Sequence, residues 1–126
     1  MSKGKSIALW LLQILLAIQF LVPGILKLMA NPGWITRFRA WGYPDRFYLL
    51  VGAVETFGTL VFLIPRLSIY GATALAIVMA GAFVTHLLHS EIARAIVTLT
   101  LGILVAITGY TRSRARRQQE IARGGV

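Results

Sequence analysis

The chain has 126 residues, 57% of them hydrophobic and 13% charged, where an ordinary soluble domain carries about 25% charged residues. Thirteen Lys and Arg oppose four Asp and Glu, a formal net charge of +9, and the mean hydropathy is +0.75. Together these exclude a water-soluble globule, and the lack of cysteine excludes disulfides, Cys-ligated iron–sulfur clusters and any dithiol relay.

Four apolar stretches follow one another, at residues 6–29, 47–64, 67–88 and 92–110. Each approaches the ~20 residues that carry a helix across ~30 Å of hydrocarbon. Lys3 and Lys5 ahead of the first stretch resemble the start of a secretory leader. That stretch is too long for one, and Leu28-Met29-Ala30 lacks the small residue a cleavage site needs, so a transmembrane helix is expected. The tight connections Pro65-Arg66 and His89-Ser90-Glu91 make consecutive helices antiparallel neighbours. The expected fold is an all-α membrane protein, a four-transmembrane-helix up-down bundle filling residues 1–110.

The longer connection, residues 30–46, opens on the turn sequence Asn31-Pro32-Gly33 and closes on Gly42-Tyr43-Pro44. Within it Trp34, Phe38 and Trp41 recur at i, i+4, i+7, with Arg37 and Arg39 off that face. The pattern predicts a short interfacial helix between helices 1 and 2, its aromatics anchored in the lipid boundary. Small residues at four-residue spacing, Ser68, Ala72, Ala76 and Ala80 on the third helix and Thr98, Gly102 and Ala106 on the fourth, predict close helix packing. Residues 111–126 are expected to form a basic tail that continues the last helix before fraying. Its Arg112, Arg114, Arg116 and Arg117 point to an anionic lipid surface rather than nucleic acid. Lys3, Lys5, Arg66 and these arginines outweigh Arg37, Arg39, Arg46 and Arg94 on the other side, which predicts both termini in the cytoplasm.

Ionisable residues inside a span are functional candidates by default. Here they are Lys27, Glu55 and His86, with Gln13 and Gln19 as neutral company. Lys27 and His86 fall near the outer ends of their helices, and Glu55 lies about 12 Å deep from the same side. Heptad stripes run through all three. Gln13, Phe20 and Lys27 share one, Tyr48, Gly52, Glu55, Thr59 and Phe62 a second, and Ala72, Leu75, Met79, Ala82, His86 and His89 a third. The stripes predict a polar pocket formed by Lys27, Glu55, His86 and Gln13, with Gly52 clearing space one turn from Glu55. Glu91 and Arg94 read as a surface i, i+3 ion pair. His86 and His89, three residues apart without a set of further ligands, do not make a metal site.

At these residues the chain resembles the DoxX-like family of small four-helix bacterial membrane proteins. The likeness runs over Pro23-Gly24-Ile25-Leu26-Lys27-Leu28, Trp41-Gly42-Tyr43-Pro44, Val51-Gly52-Ala53-Val54-Glu55 through Ile64-Pro65-Arg66, and Met79-Ala80-Gly81-Ala82 through His86. It extends to about Tyr110, and the order and spacing of these short motifs carry it. The resemblance implies a multi-pass protein of the bacterial inner membrane. The family takes its name from a subunit of a thiosulfate:quinone oxidoreductase, and its members are often linked to membrane oxidoreductases.

No catalytic residue set comes with the resemblance, and no haem-ligand pattern, nucleotide motif or appended soluble domain is expected here. A redox role would therefore rest on quinone and on other membrane subunits, or on further copies of the chain. The expected function is an accessory or quinone-associated subunit of a membrane oxidoreductase complex. A small proton-coupled transporter titrating Glu55 and a ligand-free assembly subunit are the alternatives.

Overall fold

The computed structural model describes residues 2–124, among which the regular structure is entirely helical. Five helices follow in order: α1 (Lys3–Leu28), α2 (Pro32–Ala40), α3 (Phe47–Phe62), α4 (Ser68–Leu88) and α5 (Ile92–Ala122). A single 3-10 turn, Pro65–Leu67, leads into α4. Three segments are long and apolar enough to cross a membrane: Lys3–Leu28, Pro65–Leu88 and Ile92–Ala122. The fourth, α3, is apolar but has 16 residues, about 24 Å of helix. It stops two residues short of its expected limit because Ile64 takes an extended conformation ahead of Pro65, as the residue before a proline prefers.

Local chemistry explains the boundaries. The Ser2 side chain caps α1 by accepting from the Lys5 N–H at 3.2 Å. Asn31 caps α2 by accepting from Gly33 N–H at 3.0 Å, with Pro32 at the first helical position. Gly42, at φ +84°, supplies the left-handed turn after α2. The last helix continues unbroken through Tyr110 to Ala122, so the basic tail begins as part of α5 itself. Residue 1 of the expected bundle and residues 125–126 of the expected tail lie outside the described residues.

α1 packs chiefly on α3, and α5 on α4. Gln13 bonds to the Phe62 carbonyl while Lys27 bonds to Glu55, so α1 and α3 pass in opposite senses. The two helix pairs join most tightly near the end where α1 starts and α5 finishes. There Gly71 lies against the backbone of Gly58 and Phe62, and Gly109 against Ala72 and Ser68; a methyl group at either glycine would collide. Leu16, Phe20, Phe62, Leu75 and Val105 fill the core.

The small-residue pattern is thus realised only in part. Ser68 and Ala72 are buried, but Ala80 and Ala106 face outward. Gly109, one turn beyond Ala106, meets Ala72. A strict four-residue spacing drifts around a 3.6-residue helix, whereas Gly102, Val105 and Gly109 alternate three and four. On the outside α1 shows Ile7, Leu11, Leu15, Ile18 and Val22, a continuous apolar face of the kind lipid covers.

Candidate functional site

The site begins at the crossing of α1 and α3. A Cβ at Gly52 would stand 2.7 Å from Lys27 Cβ and 2.9 Å from the Gly24 carbonyl oxygen, and one at Gly24 would stand 2.8 Å from Thr56 Oγ1. The two glycines let the backbones approach closely, and so set Lys27 beside Glu55. Lys27 Nζ donates to Glu55 Oε1, with the two residues 5% and 1% exposed. The ammonium also lies 3.9 Å from the centroid of the Trp34 ring, a cation–π contact. Lys27 therefore turns into the protein, although it sits at the end of its helix.

The aromatic face of α2 turns inward as well. Phe38 is buried in the middle of a cluster with Trp34, Trp41, Tyr43, Phe47 and Tyr48, ring centroids 5.4–6.3 Å away. This corrects the expectation that Trp34, Phe38 and Trp41 dip together into lipid. Their stripe has the right helical period, but period alone does not say which side is covered. The aromatics form a roof over the space between the helix pairs, with Trp34 and Trp41 half-buried in it.

Two polar contacts fasten that roof. Tyr43 bonds through its hydroxyl to Thr85, and Trp41 Nε1 donates to Glu91 Oε1 at 3.1 Å. Glu91 also accepts from His86 Nδ1 at 2.8 Å and from Arg94 Nη1 at 3.2 Å. The hydrogen bond from His86, reinforced by Trp41 and Arg94, holds its carboxyl below the ordinary carboxylate range despite partial burial. The expected surface pair of Glu91 and Arg94 exists, but Glu91 is also the hub that joins the roof to α4 and α5. Trp41, Tyr43, Thr85 and Glu91 were not legible as a polar set, because they come from three separate segments. His89 is exposed and bonds through Nδ1 to the Thr85 carbonyl at 2.9 Å.

Beneath the roof lies a cavity of about 410 Å3, within the range of small-molecule sites. Lys27, Glu55 and His86 all reach its wall, and the remaining lining is mainly apolar and aromatic, including Phe20, Val54, Met79 and Ala82. Gln19, Pro23, Thr98 and Leu101 also line it, so the cavity extends between α1 and α5. The structure thus brings together the three ionisable candidates, although His86 is held by Glu91 and not by the Lys27–Glu55 pair.

Two other candidates sit elsewhere. Gly52 acts from below, through the helix crossing. Gln13 is fully buried two heptads from Lys27, about 21 Å along α1. Its Nε2 donates to the Phe62 carbonyl at 2.8 Å and to Ser68 Oγ at 3.2 Å, and its Oε1 accepts from Arg112 Nε at 3.1 Å. A shared heptad stripe put Gln13 on the right face but at the opposite end. Unlike the other three tail arginines, Arg112 is buried. Arg114 and Arg117 are exposed, and Arg116 faces Glu120 at 3.6 Å.

A family model for the DoxX-like family matches residues 11–108. The chain belongs to the DoxX-like family. The matched segment contains every residue named in the cavity wall, its roof and the Gly24–Gly52 crossing, while Arg112 lies beyond it. With the three long apolar segments, membership marks this DoxX-like chain as a multi-pass membrane protein. Comparison with curated proteins and with solved structures gives no match.

Proposed function

We propose that this DoxX-like protein is a quinone-associated accessory subunit of a membrane oxidoreductase complex in the bacterial inner membrane. In this reading α1, α3, α4 and α5 cross the bilayer as an up-down bundle with both termini in the cytoplasm. The observation that carries the proposal is the roofed cavity, with apolar and aromatic walls and an ammonium, a carboxylate and an imidazole at its margin. This combination suits a flat, amphipathic head group better than an ion or a sugar. Bound quinone would supply reversible uptake of electrons and protons.

Lys27 would offer N–H donors to a ring carbonyl oxygen, and Glu55 would orient Lys27 by holding its ammonium. His86, whose Nδ1 is held by Glu91, would present Nε2 as an acceptor for a quinol hydroxyl. The aromatic roof would exclude water from the head group, and the Glu91 hub would keep that roof down. Electrons would come from another subunit, because the chain carries no electron-carrier motif. A proton-coupled transporter is the weaker reading, since Glu55 is already engaged by Lys27. Mild purification from the native membrane tests the proposal. Quinone and an oxidoreductase subunit should co-purify; a stable preparation containing neither would refute it.

A further inference from the structure

The opposite end of the bundle holds a positive charge that no carboxylate among the described residues neutralises. Arg112 is 7% exposed. Its Nε donates to Gln13, and its guanidinium carbon lies 4.3 Å from the centroid of the Trp10 ring. Nη2 is buried and has no hydrogen-bond partner among the described residues.

The side-chain carboxylates among the described residues are Asp45, Glu55, Glu91 and Glu120. Glu55 and Glu91 are engaged at the α2 end by Lys27, His86 and Arg94, and Asp45 lies just before α3 at that same end. Glu120 is exposed two turns further along α5, facing Arg116. A buried guanidinium held by one neutral acceptor and an indole face is left short of acceptors and of counter-charge. Phe62 and Ser68 hold the Gln13 amide nitrogen and thereby fix its oxygen towards Arg112, where it meets Nε and leaves Nη2 unpartnered.

We propose that Arg112, positioned by Gln13 and Trp10, is a binding site for an anionic phosphate group. The planar guanidinium fork matches oxyanions through parallel N–H···O bonds, and Nη2 supplies the free donor. α1 and α5 pack sparsely against each other, and because Nη2 is buried the phosphate would reach it by parting that seam. Exposed Lys3, Lys5, Arg66 and Arg114 raise the local concentration of anions there. The position, flanked by the lipid-facing apolar stripe of α1, makes a phospholipid head group the expected source and free phosphate the other. This site is separate from the roofed cavity and does not depend on quinone binding.

Thermal unfolding of the purified full chain in a neutral detergent tests the site. The additives are phosphatidylglycerol, diacylglycerol (tails without phosphate) and inorganic phosphate. Phosphatidylglycerol, but not diacylglycerol, should raise the Tm by several degrees. The rise should persist in Arg114→Gln/Arg117→Gln and fall to less than half in Arg112→Lys, which keeps the charge but loses the fork. An equal rise with inorganic phosphate would support the site and identify free phosphate as the source. No rise in the wild type with either phosphate compound would overturn it. So would a rise that survives in Arg112→Lys, or one that disappears in the Arg114→Gln/Arg117→Gln protein.

Discussion

Lys27 donates to Glu55 across a helix crossing where Gly24 and Gly52 leave no Cβ between the backbones. The pair is enclosed by protein on one side and by the Trp34 ring on the other. Removing one member of such a pair leaves the other charge without compensation.

At neutral pH Lys27→Met should therefore destabilise by about 3–5 kcal/mol. Glu55→Gln should cost less, because the amide oxygen can still accept from Lys27 and the indole face remains. Lys27→Met combined with Glu55→Gln should recover most of the loss. Thermal unfolding of the three variants in detergent measures the coupling directly; additive losses would contradict it.

Gly52→Ala would push a methyl group against Lys27 Cβ and the Gly24 carbonyl. Overpacking of this kind costs about 1–3 kcal/mol, and here it should also spread α1 from α3 and loosen the ion pair. Gly81→Ala is the control, since a Cβ there meets nothing within 4 Å. Unfolding midpoints should drop for the first variant and hold or rise for the second, because alanine favours a helix interior over glycine.

The roof should respond to acid. The Glu91 carboxyl titrates below its ordinary value in the folded protein because His86, Trp41 and Arg94 donate to or face its charged form. Its contribution is fully present above the unfolded carboxylate pKa of about 4.3 and is lost as pH falls through the lower folded value. Tryptophan fluorescence, which Trp34 and Trp41 dominate at this end, should show a transition below that pH. Glu91→Gln should abolish the transition, and an unchanged acid profile would contradict the hub.

Reporter fusions at either terminus should register in the cytoplasm, and a fusion at Ser90 outside it. The reverse pattern would invert the side on which the cavity opens and set aside the charge-based orientation.

Much of the bundle's interior was legible because heptad spacing is a geometric property of a helix. The stripe Gln13, Phe20, Lys27 is buried throughout, as are Gly52, Glu55, Thr59 and Phe62, and Leu75, Met79 and His86. What spacing could not supply was contact between segments far apart in sequence. Trp41 and Glu91 meet across fifty residues, and Gln13 meets Arg112 across ninety-nine. The aromatic period of α2 was equally readable, yet the choice between lipid and protein as its cover depends on how the loop folds back over Lys27. Arg112 was grouped with its neighbours by charge, although its place on α5, one turn beyond the buried Thr108, turns it inward.

Equilibrium binding of a short-chain quinone to the purified protein in lipid nanodiscs tests the proposed function most directly. Wild-type protein should bind saturably. Glu55→Gln, which leaves Lys27 a neutral acceptor in place of its counter-charge and so a looser hold, should weaken binding at least ~10-fold, about 1.4 kcal/mol. Ala82→Phe, which places a ring in the cavity, should abolish it. Absence of saturable binding to the wild type, or binding that neither substitution alters, would contradict a quinone site beneath the aromatic roof.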